Sequence, residues 1–194
     1  NSGSMDALRS GIVDGAALTL DEVIRARAAG LSLTVVLAFD ASAGADMLLA
    51  RSSISELSQL KGKRVGLDLK TNAVLLLALA LQSQGLDPQQ VQLVDLSFDD
   101  QLQAWQQQRV DAVITYEPVA GQLLQAGAQR LFDTAMLPNT IVDVLAVRTD
   151  VVADPAYETA LKSVVAGHFR ALRGFRQQPE QYAEEMAPYL KLAP

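Results

Sequence analysis

Short apolar runs alternate with amphipathic or capped stretches along the chain, and this alternation predicts an α/β protein. Residues 34–39, 112–114 and 141–148 are runs of mostly apolar, largely β-branched residues, which are typical of strands inside a sheet. We expect residues 34–39 to be buried on both faces of their sheet. Further strands are predicted at 12–18, 47–50, 64–67, 91–96 and 130–133, and helices at 4–10, 20–29, 72–84, 99–108, 119–125, 156–176 and 179–187. Strands that alternate with helices favour largely parallel sheets.

One predicted strand ends in three polar residues directly before a helix. The run 112–114 is followed by Thr115, Tyr116 and Glu117, and Pro118 then opens the next helix. In open α/β sheets, ligands bind at the carboxyl ends of strands. On this segment alone we favour an ordinary strand–helix turn with a capping threonine, with a ligand-facing corner as the alternative.

Residues 9–22 repeat the pattern of residues 109–117. Each copy has Val-Asp, an apolar run, a threonine and then an acid at a helix start, and in the first copy Thr19 and Glu22 have the spacing of a capping box. We interpret the two copies as matching corners of two lobes, with Thr19 and Thr115 facing one cleft. Glu22 and Glu117 would then hold a cationic or amino group, unless both carboxylates only complement their helix dipoles.

Two loops supply further candidate ligand-binding residues. Ser42 and Gly44 lie in a loop of small residues after strand 34–39, where glycine permits close backbone approach and Asp46 is expected to brace the loop. Helix 72–84 opens on a polar stretch whose backbone N–H groups and hydroxyl suit an anionic head group. The members of that stretch are Lys70, Thr71 and Asn72, and Asn72 has a plain N-cap as its alternative role.

Asp143 is the one charged residue inside the apolar part of strand 141–148. A buried carboxylate without a partner is costly, so Asp143 is expected to be paired or to face the cleft. We favour a hinge or cleft role.

Composition excludes several classes of function. The chain of 194 residues carries a formal net charge of −6 and has no cluster of Lys and Arg, which argues against nucleic-acid binding. It has no cysteine and one histidine, His168, so thiolate or histidine-based metal sites and cysteine nucleophiles are excluded. No metal, cofactor or catalytic residue is predicted. The most apolar run, residues 73–81, is too short to span a bilayer.

Several segments, in order, resemble a known family. They are LRSGIVDGAALTLDEV at 8–23, LAFDASAGADMLLAR at 37–51, LKGKRVGLD at 60–68, VDAVITYEPVAGQLLQAG at 110–127 and PNTIVDVLAVR at 138–148. Together they are similar to the type II periplasmic solute-binding proteins of ABC transporters, in the nitrate/sulfonate/taurine branch that includes thiamine-precursor-binding relatives.

The resemblance implies a bilobal Venus-flytrap fold, with a largely parallel sheet flanked by helices in each lobe. Lobe one would comprise residues 1–58, lobe two 59–137, and 138–194 would return to lobe one with the C-terminal helices. Hinges are expected near residues 52–60 and 134–140. The first strand and helix of the family's lobe one have no counterpart in this sequence.

The same resemblance implies a function without catalysis. The protein would bind a small polar solute between the lobes and deliver it to an ABC transporter permease. The alternative is a sensory module of the same fold attached to a signalling partner. We expect a monomer in the periplasm or another extracytoplasmic location, with a lipid anchor as one option. The family's pyrimidine-synthesising enzymes use histidine and a cysteine-rich motif, and a chain without cysteine and with one histidine does not match them.

Overall fold

The structure is a computed structural model that describes residues 2–189, with side chains from residue 3. Its helices and strands alternate along the chain as the apolar pattern predicts. In chain order they are α1 (Ser2–Arg9), β1 (Gly15–Thr19), α2 (Leu20–Ala28), β2 (Leu33–Ala41), β3 (Met47–Ala50), β4 (Arg64–Leu67), α3 (Ala73–Gln82), β5 (Gln92–Asp95), α4 (Gln101–Gln106), β6 (Ala112–Thr115), α5 (Val119–Gln125), β7 (Gln129–Asp133), β8 (Val142–Arg148), α6 (Thr149–Ala153), α7 (Pro155–Gln177) and α8 (Pro179–Met186).

The chain forms two compact units. The first, here called the central unit, is Ala41–Ile141, and the second, the terminal unit, combines Gly3–Asp40 with the chain from Val142 onwards. These divisions differ from the lobe boundaries expected after residues 58 and 137. The difference arises because β3 pairs with β6 and β7, which places residues 41–58 with the middle of the chain.

The central unit contains a five-stranded sheet in the order β5-β4-β6-β3-β7. β4 runs parallel to β5 and β6, whereas β3 runs antiparallel to both β6 and β7. Parallel neighbours require a crossover, and α3 and α4 connect the parallel strands β4, β5 and β6 in that way. The prediction of a largely parallel sheet is therefore right for β5-β4-β6 and wrong for β3, so the sheet is mixed.

Two hydrophobic clusters cover the two faces of this sheet. Neighbouring residues of β3 point to opposite faces, and accordingly Leu48 belongs to one cluster and Leu49 to the other. The cluster of Leu48 includes the inner side of α3, with Leu76 fully buried. The cluster of Leu49 includes Trp105 of α4 and Leu123 of α5. The sheet is thus held between helices on both faces.

The terminal unit has a three-stranded sheet in the order β1-β8-β2. β1 and β8 are antiparallel, with Thr19 opposite Asp143. Their inner face packs against α2, and Leu18, Val23 and Val144 are among the buried residues there. The antiparallel β1–β8 pair is a second departure from the expected largely parallel sheets.

The prediction that both faces of β2 are buried is wrong. Only Leu33 and Leu37 are buried in this strand, while Val35 is 41% exposed. The physical reason is its place at the end of the β1-β8-β2 order, because an edge strand has a neighbouring strand on one side only. No residue of the described α7 and α8 is buried, and Phe169 and Phe175 of α7 are exposed apolar side chains.

Within residues 2–189, no helix combines the length and the apolar character that crossing a membrane requires.

A guanidinium–carboxylate pair fixes the start of the parallel strands. Arg64 donates from its backbone N–H and from Nε to Oδ2 of Asp111, at 2.9 and 3.0 Å, and from its terminal nitrogen to Oδ1 at 2.8 Å. The hydrogen bonds from Arg64 lower the pKa of the Asp111 carboxyl below its usual value. The pair therefore joins the beginnings of β4 and β6.

We expect Gly66→Ala to destabilise the central unit by about 1–3 kcal/mol, because a Cβ at this position of β4 would overpack the core. The added atom would lie 2.7 Å from Cδ1 of Leu96 and 3.0 Å from Cγ1 of Val110. Urea unfolding measures the change. The control is Gly3→Ala in α1, where an added Cβ meets no atom within 4 Å and the higher helix propensity of alanine stabilises by up to about 1 kcal/mol. Equal stability of Gly66→Ala and the parent would contradict the packing described.

We expect Asp111→Asn to lower stability at neutral pH by less than about 1 kcal/mol, since the pair is partly solvent-exposed, with 41% of the Arg64 side chain accessible. A carboxyl whose folded pKa is depressed contributes stability above its unfolded pKa and loses it as pH falls through the folded pKa. The difference between variant and parent should therefore shrink below about pH 4 and vanish at still lower pH. Urea midpoints from pH 2 to 7 test this, with Asp6→Asn on exposed α1 as the charge-matched control. A difference that grows on acidification would contradict the sign.

Candidate functional site

Four strands of the central unit end at the same edge of its sheet. β4, β5 and β6 are parallel, and β7 runs in the same direction as β6 because both are antiparallel to β3. The first residue of β3, Met47, lies opposite Thr115 and Asp133. The polar segments beside these strand ends therefore meet at one edge. We call this the carboxyl edge, and it comprises residues 42–46, 68–72, 95–99, 115–117 and 133–134.

The carboxyl edge brings together most of the residues that the sequence singled out. They come from the loop before β3, the start of α3 and the end of β6. The residues are Ser42, Gly44, Lys70, Thr71, Asn72, Thr115, Tyr116 and Glu117. The remaining three candidates, Thr19, Glu22 and Asp143, lie in the terminal unit.

A chain of hydrogen bonds fixes the loop before β3. The N–H of Gly44 donates to Oγ1 of Thr134 at 2.8 Å, Oγ1 of Thr134 lies 2.7 Å from Oγ of Ser42, and Ser42 donates to Oδ2 of Asp46 at 2.6 Å. Since Ser42 uses its hydrogen on Asp46, Thr134 must be the donor to Ser42. Asp46 thus braces the loop, as the sequence predicts. Thr134, fully buried, was missed by the sequence analysis, although its position directly after β7 is a signal that could have identified it.

The polar stretch before α3 is folded largely onto itself. Oγ1 of Thr71 donates to the carbonyl of Asp68 at 3.0 Å and accepts from the N–H of Ala73 at 3.3 Å, and the N–H of Lys70 donates to Oδ1 of Asp68 at 2.9 Å. Asn72 occupies the N-cap position without a side-chain cap bond. Its Nδ2 instead approaches Oδ1 of Asp46 at 3.4 Å. Asn72 therefore joins the start of α3 to the braced loop.

Tyr116 presents an aromatic ring at this edge. Its ring stacks on Phe98, with the centroids 4.2 Å apart and the planes 13° from parallel, and the residue is 48% exposed. Burial, and then the charges of Asp46, Asp68 and Asp99, raise the pKa of the Tyr116 phenol above its usual value. The phenol remains protonated at neutral pH and is available as a hydrogen-bond donor.

The neighbours of Tyr116 have local roles. Thr115 is almost completely buried, and its hydroxyl lies 3.5 Å from the carbonyl of Tyr116. Oε2 of the exposed Glu117 accepts from the N–H of Gly121 at 2.9 Å, in the first turn of α5. This is the helix-terminal role that the sequence left open as an alternative, and a ligand role for Glu117 stays a prediction.

The polar residues at the corner of the terminal unit also form local hydrogen bonds. The backbone N–H of Thr19 donates to Oε2 of the buried Glu22 at 3.0 Å, and the Thr19 hydroxyl donates to Oδ1 of Asp21 at 2.6 Å. Glu22 thus forms its half of the predicted capping box. Asp143 is partly buried on β8, directly opposite Thr19. The ligand-binding roles of these residues stay predictions.

In the part of the chain that the structure describes, no group of three or more His, Cys, Asp or Glu side chains is arranged to hold a metal ion.

We expect Thr134→Val to destabilise the central unit by about 1–3 kcal/mol, because the Gly44 N–H loses its acceptor and the Ser42 hydroxyl loses a donor in a buried site. Valine nearly preserves the shape, so the effect reports the hydroxyl. The exposed Thr159→Val on α7 is the matched control and should change stability by less than about 0.5 kcal/mol. Urea unfolding compares the two, and equal effects would mean that the hydrogen-bond chain does not hold the loop.

Known proteins share this fold. The periplasmic aliphatic sulphonate-binding protein SsuA from Escherichia coli is 27% identical, with a TM-score of 0.80 over 97% of this chain and 65% of that chain. The alkanesulfonate-binding protein SsuA from Xanthomonas axonopodis pv. citri, bound to MOPS, is 22% identical, with a TM-score of 0.81 over the same shares of 97% and 65%. These likenesses confirm the predicted type II periplasmic-binding-protein fold class.

Curated relatives match more distantly in sequence. A protein of Brucella abortus and one of Brucella suis, each named "Putative binding protein", are 23% identical over 165 residues, which is 81% of this chain and 50% of theirs. The chain therefore spans about half the length of the curated relatives that it matches. The family model described as NMT1/THI5 like matches residues 1–181. The chain belongs to the NMT1/THI5-like family of the solute-binding branch that its sequence resembles.

Proposed function

We propose that the protein binds a small polar solute as the extracytoplasmic component of an ABC importer. The observation that carries this proposal is the carboxyl edge of the central unit, where a braced polar loop and an exposed aromatic ring lie beside the ends of four strands. The family assignment and the sulfonate-binding function of the SsuA proteins support it. Both point to binding without catalysis.

The loop at the carboxyl edge is held in place by hydrogen bonds, which favours ligand binding. The hydrogen bonds of Gly44, Thr134, Ser42 and Asp46 hold the loop before β3 in one conformation. A site that is ordered before the ligand arrives avoids the entropy cost of ordering on binding. The Tyr116 phenol and the carboxylates around it then offer donors and acceptors to a polar solute.

We also propose that the solute is enclosed between the two lobes that the resemblance implies and is then passed to a permease. The corner of Thr19, Glu22 and Asp143 would contribute the second set of contacts. Enclosure between the lobes is supported by the family assignment and by the sequence pattern that residues 9–22 share with residues 109–117. Binding as a monomer in the periplasm is part of the same proposal.

We expect a thermal-shift screen against amines, sulfonates, nitrate and pyrimidines to find a solute that raises the melting temperature, since a ligand that binds only the folded state stabilises it. Tyr116→Ala should remove most of the shift. Tyr189→Ala, the truncation of a tyrosine that is 88% exposed, is the matched control and should keep it. If calorimetry on the hits gave equal affinities for both variants, the carboxyl edge would not be the binding surface.

A further inference from the structure

We infer that the carboxyl edge selects a small organic cation with N–H groups, such as an alkylammonium or a protonated heterocycle, bound against the accessible side of Tyr116. The inference rests on the proposed solute-binding function and adds to it the charge of the solute. Three independent features of the central unit support it: an aromatic platform, the sign of the surrounding charge and an unpaired buried acceptor whose side chain bonds to the strand that leads to Tyr116.

The platform is the stacked pair of Tyr116 and Phe98. Phe98 covers one face of the Tyr116 ring, at a centroid distance of 4.2 Å, and about half of Tyr116 remains accessible. The face of an aromatic ring carries the negative part of its quadrupole and attracts cations. A ring that is fixed by stacking and still accessible is suited to receive a cation without rearrangement.

The charges around this ring have one predominant sign. The carboxyl edge, as defined above, contains six carboxylates and one ammonium group, that of Lys70. Arg130, outside the edge, reaches one of the carboxylates, Asp133, at 3.1 Å. The charges of Asp46, Asp68 and Asp99 act on the Tyr116 phenol itself. The carboxylates of the edge are Asp46, Asp68, Asp95, Asp99, Glu117 and Asp133.

The carboxylates of the carboxyl edge would weaken the binding of an anionic solute. Like charges at short range repel, and the edge contains no arginine that would grip a sulfonate with two parallel hydrogen bonds. The SsuA proteins that share the fold are sulfonate-binding proteins. The charge of the carboxyl edge instead indicates a positively charged solute.

The third feature is the side chain of Gln101. It follows Phe98 by three residues, and its Nε2 donates to the carbonyl of Ile114 at 2.9 Å, on the strand that leads to Tyr116. Gln101 is 3% exposed, and its Oε1 has no hydrogen-bond partner among the described residues. A buried acceptor without a donor is unfavourable, and the N–H of a protonated nitrogen can supply the donor, whereas a sulfonate has no donor.

The decisive experiment compares two probes of similar size and opposite charge, benzylammonium and benzenesulfonate. Calorimetry on the 194-residue chain should show the cation binding at least about tenfold more tightly, as a cation–π contact together with attraction to the carboxylates predicts. In NMR titrations, the ring protons of Tyr116 and Phe98 should shift with the cation. Tyr116→Phe should retain binding, and Tyr116→Leu should weaken it about fivefold or more.

A charge-matched pair of variants tests the electrostatic part. Asp99→Asn should weaken binding of the cation about twofold to fivefold, and Asp6→Asn on α1, with the same change in net charge, should leave it unchanged. Stronger binding of benzenesulfonate, or cation binding that Tyr116→Leu leaves intact, would overturn the inference while the solute-binding function stands. If neither probe binds and a neutral or anionic solute from the wider screen does, the inference is again wrong alone. Failure of both probes and of the entire screen would remove both proposals.

Discussion

The position of β3 between β6 and β7 is the constraint on which the central unit depends. This strand is four residues long and buried throughout, and its side chains belong alternately to the hydrophobic clusters on the two faces of the sheet. Its antiparallel register sets Met47 opposite both Thr115 and Asp133. Because a shift by one residue would exchange the two faces, the register is strongly determined. The same register brings the loop before β3 to the edge where β4, β5, β6 and β7 end, so core packing and site assembly share one cause.

Much of the fold could be predicted from local pattern. Apolar runs gave the strands of the central unit, and Thr19 with Glu22 gave the start of α2, since capping depends on residues close in sequence. Strand direction could not be predicted in this way. The antiparallel placement of β3 depends on which strands it neighbours, and β3 lies beside β6 and β7, more than 60 residues away in sequence. The exposure of Val35 in β2 has the same origin, because an apolar run does not reveal whether its neighbours cover one face or both.

In the candidate site, too, residues with a local sequence signal could be predicted and those defined by distant contacts could not. Ser42, Gly44, Asn72 and Tyr116 were identified because glycine-containing loops and strand–helix corners carry local signals, and the structure places all four at the carboxyl edge. Thr134 lies directly after β7, but its role could not be predicted from that position alone, since its hydrogen-bond partners lie about 90 residues earlier. Conversely, the carboxylates of Glu22 and Glu117 look equally suited to a ligand and to a helix end, and only their distances to backbone N–H groups show that each serves a helix.

The hydrogen-bond chain in the loop before β3 has a fixed polarity. A backbone N–H can only donate and an ionised carboxylate can only accept, so the hydroxyl hydrogens of Thr134 and Ser42, which lie between them, are all aligned towards Asp46. Such a chain has no second arrangement of equal energy. The dipoles of the chain are therefore already oriented, and they do not have to reorganise as water does around a charge. In electrostatic terms, the hydrogen-bond chain carries a fixed dipole that is built from one glycine N–H, two hydroxyls and one carboxylate.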